Sequence, residues 1–305
     1  MSRARAVAAI SCLSGALLGC TELCVPTETR LGFFSQGDCV LTKASFFQGH
    51  EWITFFGNED LEESERFPAE EVLEIAEGNR RVDWPKELLV ELNASTIAYV
   101  NAVTEYTNRP ENQKLHFLLN ATNTSEQAVA DSVEEIRRVS EEAVETWVSD
   151  RERSLALIGR ATHVIQDSFS RAHAVRDDRD DDCIMKVKAY IPRSASADND
   201  GVDYHGGKEL DSIGHTTSED SIYRSGRDCH EPSGRAAVEA CLNDSASRAR
   251  HATRDYLGML HRAVGLSIFD QRDVPASEIL ASDFEGFEDL HFRMCDPDAD
   301  EDAGE

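Results

Sequence analysis

Basic residues are scarce: 31 Lys and Arg stand against 58 Asp and Glu, a formal charge of -27. Duplex nucleic acid is gripped by clustered Lys and Arg, and the chain concentrates them nowhere, so no duplex-binding surface is expected. Much of the acid excess lies in runs such as Asp177 to Asp182 and Asp296 to Glu305, which read as solvated loops or tails. Cys-x-x-Cys pairs are missing, so any zinc must be held by His and carboxylate. No alternating apolar pattern lasts long enough for a sheet, and no internal repeat occurs. What remains is 305 residues with 40% hydrophobic content, enough for one large domain with a real core.

Residues 1–19 have the layout of an export signal, with Arg3 and Arg5 ahead of an apolar stretch, Ala6 to Leu18, too short to span a bilayer. Leu17-Leu18-Gly19-Cys20 resembles the bacterial lipobox, which would make Cys20 the lipidated first residue of the mature chain. An ordinary secretory signal cut nearby is the other reading. Either way the chain is exported, lipid-anchored in the cell envelope or secreted. Cys24, Cys39, Cys183, Cys229, Cys241 and Cys295 then form an even set, suited to as many as three disulfides in an oxidising compartment.

Residues 20–45 carry turn residues and, after Cys20, two further cysteines, and read as an N-terminal extension. Helical spacing dominates the domain that follows, 46–281. Val129, Val133, Ile136, Ala143, Val144 and Trp147 recur every three or four residues, and Leu155, Ile158, Ala161 and Ile165 continue in a second helix. Leu88 to Val103 and Ala246 to Ala263 predict two more. Asp177 to Gly214, rich in Gly, Asp and Ser, predicts a long irregular insertion, and 282–305 an acidic C-terminal tail. The expected fold is all-α: a single compact multi-helix domain with long irregular loops.

The chemistry concentrates in Thr162-His163-Val164-Ile165-Gln166-Asp167-Ser168-Phe169-Ser170-Arg171-Ala172-His173. His163 and Asp167, four apart on a helix, share a face and can reach one metal ion. His173, about 80° round from His163 if the helix ran on, suits a second ion. His215 and Glu219 repeat the four-residue spacing, and His205 with Glu209 offers a rival pair. His50, Asp83 and His116 precede them. Alone, an i,i+4 pair is usually a helix-stabilising contact, His50 a satisfied core histidine and Asp83 a helix N-cap ahead of Pro85.

Together these residues resemble the zinc-dependent phospholipase C and single-strand-specific zinc nuclease superfamily. Its core motif has His, Asp and His at the offsets of His163, Asp167 and His173, then a Gly-His-x-x-x-Glu that Gly214-His215-Thr216-Thr217-Ser218-Glu219 matches better than the His205 segment does. His50, Asp83 and His116-Phe117 are similar to its earlier elements. The likeness spans roughly residues 48 to 260 and is one of order and spacing. It implies two or three zinc ions: one on Asp83, His116, His163 and Asp167, a second on His173, His215 and Glu219, and Asp167 bridging toward a third near His50. It also implies that Asp83 orients or deprotonates the attacking water. The chain departs from the family where Arg171 replaces a usual Pro, where Asp83 and His116 lie further apart, and where His50 follows no free N-terminal Trp. The implied activity is phospholipase C-like cleavage of a phospholipid or other phosphodiester. A single-strand nuclease or nucleotidase of the same fold, and an inactive metal-stabilised envelope lipoprotein, are the alternatives.

Overall fold

The computed structural model describes residues 49–83, 85, 105–106, 109–120, 122–177, 182–189, 235–269 and 274–296. Regular structure there is eight α-helices: α1 (Gly49–Glu59), α2 (Ala69–Asp83), α3 (Pro110–Gln113), α4 (Ser125–Thr146), α5 (Arg151–Asp167), α6 (Arg235–Cys241), α7 (Asp244–Phe269) and α8 (Ala276–His291). A two-stranded antiparallel sheet, β1 (Ala174–Arg176) with β2 (Ile184–Val187), is the one addition to the all-α expectation. The signal, Cys20, the extension to 45 and the helix expected over Leu88 to Val103 lie outside the described residues.

Local signals set the helix ends. Thr124 and Gln127 close a capping box on α4, and the Asp150 carboxylate accepts from the Arg153 amide, 3.1 Å away, to start α5. Pro110 opens α3, where its missing N–H costs nothing. Helix α1 is buried on nearly every side, with Trp52, Ile53 and Phe56 fully enclosed, which makes it the central element. Around it pack α2 and α7, and α2 lies along α5 at unusually close range. A Cβ built on Gly159 would sit 2.1 Å from the Ile75 carbonyl oxygen, and one on Gly78 2.6 Å from that of Ala156. Only glycine permits this backbone approach.

Two expectations change. Residues 282–296 are not a tail: α8 runs through residue 282 to His291 and buries Phe284 and Phe287, with Phe292 buried just past its end and Asp283, Glu285 and Glu288 on its other face. The segment after Asp177 is not wholly irregular, because β2 lies within it; residues 190–214 fall outside the described residues. Isolated bridges add to the hairpin, from Leu119 to Ala189 just beyond β2 and from Ile184 in β2 to Met294. A disulfide joins Cys183 to Cys295, 112 residues on, and Cys241 is also disulfide-bonded. Buried Arg176 donates to the Ser168 carbonyl (2.9 Å) and the His291 carbonyl (2.8 Å), tying the ends of α5 and α8 together.

Candidate metal centre

Six of the expected ligands fall among the described residues, and the fold gathers all six. His50 lies in the first turn of α1, Asp83 is the last residue of α2, and His163 and Asp167 stand one turn apart on α5. His116 closes a 3-10 turn, Lys114 to His116, after which Phe117 takes a left-handed conformation (φ 49°) that reverses the chain. Buried Glu135 fixes this turn, accepting from Lys114 at 3.0 Å, Arg160 at 2.6 Å and Arg138 at 2.8 Å. Helix α5 stops at Asp167, so His173 comes from the following turn, not from a continued helix face. His215, Glu219, His205 and Glu209 lie outside the described residues.

Four ligand-type atoms converge. His163 Nε2 lies 3.2 Å from His116 Nδ1 and 3.1 Å from Asp167 Oδ2. His116 Nδ1 is 3.4 Å from that same oxygen, and Asp83 Oδ1 stands 3.5 and 3.6 Å from the two imidazole nitrogens. The other oxygen of Asp167 faces His50, with Nε2 at 3.2 Å, so this carboxylate addresses two places at once. His173 Nδ1 donates to the His116 carbonyl at 2.5 Å, which makes Nε2 its acceptor nitrogen. These side chains are buried, His163 completely.

Hydrogen bonds behind the rings show how the cluster could hold a cation. His163 Nδ1 donates to Asn79 Oδ1 at 3.0 Å and His50 Nδ1 to Gln166 Oε1 at 2.7 Å, so each ring, when neutral, turns a lone pair on Nε2 inward. Asp167 Oδ2 and His116 Nε2 have no hydrogen-bond partner of sound geometry. Lone pairs and carboxylate oxygens about 3 Å apart repel unless positive charge lies between them.

Without metal, a proton fills that need. Burial pushes the pKa of His163 down, but Asp167 and Asp83 override it and bring it up to about 9. Burial dominates at His116, bringing it to about 4, and at His50, which falls well below its usual range. Asp167 is held well below the carboxylate range despite burial, by the imidazoles of His173, His163 and His116 around it. Among the described residues, then, buried His and Asp side chains form groups that could hold a metal ion: His116, His163 and Asp167, and His50, Asp83 and His163.

No family model, curated protein or solved structure matches the chain.

Spacing of His and acidic residues reveals the ligand-type side chains but not their support. Asn79, Gln166, Thr54 and Thr162 are fully buried against the centre. The one available signal was Asn79 itself, a polar residue in register with core positions Ile75 and Val82. Glu51, also buried, adds its charge to those acting on His163. Asp177, Cys183 and Cys295 also cluster, but the disulfide consumes both sulfurs. A cleft of about 560 Å³ between α7 and α8 shares no residue with the centre, and its arginines face carboxylates: Arg254 that of Asp255, Arg262 that of Asp283.

Proposed function

We propose that the chain is a zinc-dependent phosphodiester hydrolase, phospholipase C-like, exported and tethered to the cell envelope through Cys20. One observation carries the reading. A tetrahedron with metal–ligand bonds of about 2.0–2.1 Å has edges of about 3.3–3.4 Å. Five of the six separations among His163 Nε2, His116 Nδ1, Asp167 Oδ2 and Asp83 Oδ1, all but that between the two carboxylates, run from 3.1 to 3.6 Å. Two imidazoles and two carboxylates are a donor set that zinc accepts.

These four residues would hold one ion. His50 and Asp167 Oδ1 would serve a second, and His173, with His215 and Glu219, a third. Bound zinc supplies Lewis acidity toward phosphoryl oxygens and lowers the pKa of water toward neutrality. Asp83 is the most exposed of the four, its side chain 9% accessible against 4% or less for the rest. Its carboxylate would orient the attacking water and take its proton. Export is supported by the Cys183–Cys295 bond, of a kind that persists in oxidising compartments. The charge of -27 disfavours polynucleotides and leaves a phospholipid head group as the better substrate.

Metal analysis of the purified full chain should find two or three zinc ions. Chelation should abolish hydrolysis of bis-p-nitrophenyl phosphate and of phosphatidylcholine, and Asp167→Asn should lower turnover by more than roughly a thousandfold. Cleavage of the soluble diester alone would point to nucleotide substrates. One zinc or none, with no hydrolysis, would leave a metal-stabilised lipoprotein without catalysis.

A further inference from the structure

Behind His50 and His163 lie two parallel hydrogen-bond chains, each running from a main-chain carbonyl through a threonine and an amide to an imidazole. In the first, Thr54 Oγ1 donates to the His50 carbonyl four residues back, at 2.9 Å. Its proton is thereby committed, so toward Gln166, 2.9 Å away, the hydroxyl can only accept. That requirement, together with a second and longer contact from the same nitrogen to Thr253 Oγ1 at 3.2 Å, turns the Gln166 amide nitrogen toward Thr54 and its oxygen toward His50 Nδ1. In the second chain Thr162 Oγ1 donates to the Gly159 carbonyl at 2.7 Å and accepts from Asn79 Nδ2 at 3.1 Å. Asn79 is thus oriented with its oxygen on His163 Nδ1. A cross-link from Asn79 Nδ2 to Gln166 Oε1, 3.1 Å, couples the two. Turning either amide over alone would set two oxygens or two NH₂ groups against each other.

We propose that Thr54 and Thr162, acting through Gln166 and Asn79, are positioning residues that lock His50 and His163 in the Nδ1–H tautomer and so keep both Nε2 atoms ready to bind metal. The inference rests on the zinc reading for its consequence but not for its direct test. Both partners are neutral amides, where carboxylates or main-chain carbonyls usually stand behind metal-binding histidines. They fix the ring nitrogens without adding charge to a centre that already holds Asp83 and Asp167. The threonines touch no candidate ligand atom of the centre, so their effect on metal is transmitted only through the direction of hydrogen bonds.

The test uses the full chain in two ways. In metal-free protein labelled with ¹⁵N-histidine near pH 7, long-range ¹H–¹⁵N correlation should show His50 with its proton on Nδ1. Separately, zinc affinity is measured by competition with a chromogenic chelator. Combining Thr54→Val with Thr162→Val, which keeps shape and removes both hydroxyls, should weaken binding about 10- to 100-fold. The matching pair Thr54→Ser and Thr162→Ser should restore it. A His50 proton on Nε2, or a folded valine variant that binds zinc as tightly as the parent, overturns the proposal. If the valine variant does not fold, the tautomer of the parent chain decides. A parent chain that shows the Nδ1–H form but binds no zinc refutes the metal reading and upholds the tautomer lock.

Discussion

Replacing Gly159 with alanine should disable the centre without touching a ligand. The new methyl carbon would lie 2.1 Å from the Ile75 carbonyl oxygen and 2.6 Å from the Asn79 amide nitrogen, both backbone atoms of α2. Neither can move aside as a side chain would, so the two helices must separate by about 1 Å to reach van der Waals distance. Overpacking of this kind costs about 3 kcal/mol, at the upper end of its range, because the obstacle is main chain. In a domain of this size that lowers Tm by roughly 6–12 °C. Since α2 carries both Asn79 and Asp83, the same shift should weaken zinc binding about 10- to 100-fold. Thermal melts with and without zinc, alongside a chelator competition titration, measure both effects. The control is Gly265→Ala in α7, where a Cβ meets nothing within 4 Å. It should stabilise by about 0.5–1 kcal/mol through helix propensity. A Gly159→Ala protein that melts and binds zinc like the parent would refute the claim that helix contact positions the site.

Acid should weaken the fold through Glu135, whose pKa lies at about 2 because Arg138, Arg160 and Lys114 outweigh the opposing effect of burial. Its folded value is depressed, so its contribution is complete above about pH 4.5 and lost as pH falls toward 2. It amounts to about 2–3 kcal/mol, with the half-exposed arginines keeping it at that level. Denaturant titrations at pH 6 and pH 3 should lose this slope in Glu135→Gln; an unchanged slope refutes the assignment. Zinc uptake should release about one proton near pH 7, because His163 alone of the three imidazoles with shifted pKa values is protonated there. Affinity should rise about tenfold per pH unit up to about pH 9. Calorimetry in buffers of different ionisation enthalpy counts the protons, and a count of zero contradicts the proton-filled resting state.

Much of the helical frame was legible in the sequence. Helices α4 and α5 stand close to where Val129, Val133 and Ile136, then Leu155 and Ile158, placed them, because a long amphipathic period has no competing explanation. The hairpin was not legible: strands of three and four residues are too short to show alternation. In α8, Asp and Glu outnumber the buried phenylalanines, so the helix resembled a solvated tail. His163 and Asp167 were readable because four-residue spacing on a helix leaves few geometries. Their convergence with His50, Asp83 and His116 depends on where three other segments end, which spacing does not encode. The amide and threonine partners carry no charge and coordinate nothing themselves, so the sequence marks only Asn79, by its register with core positions Ile75 and Val82.

The bond between Cys183 and Cys295, 112 positions apart, turns the chain between them into a covalent ring. A protease that cuts once inside that ring cannot release a fragment. The nicked chain would migrate as one species without reductant and as two with it, and helices α6, α7 and α8 would stay tethered to the half of the protein that holds His163 and Asp167.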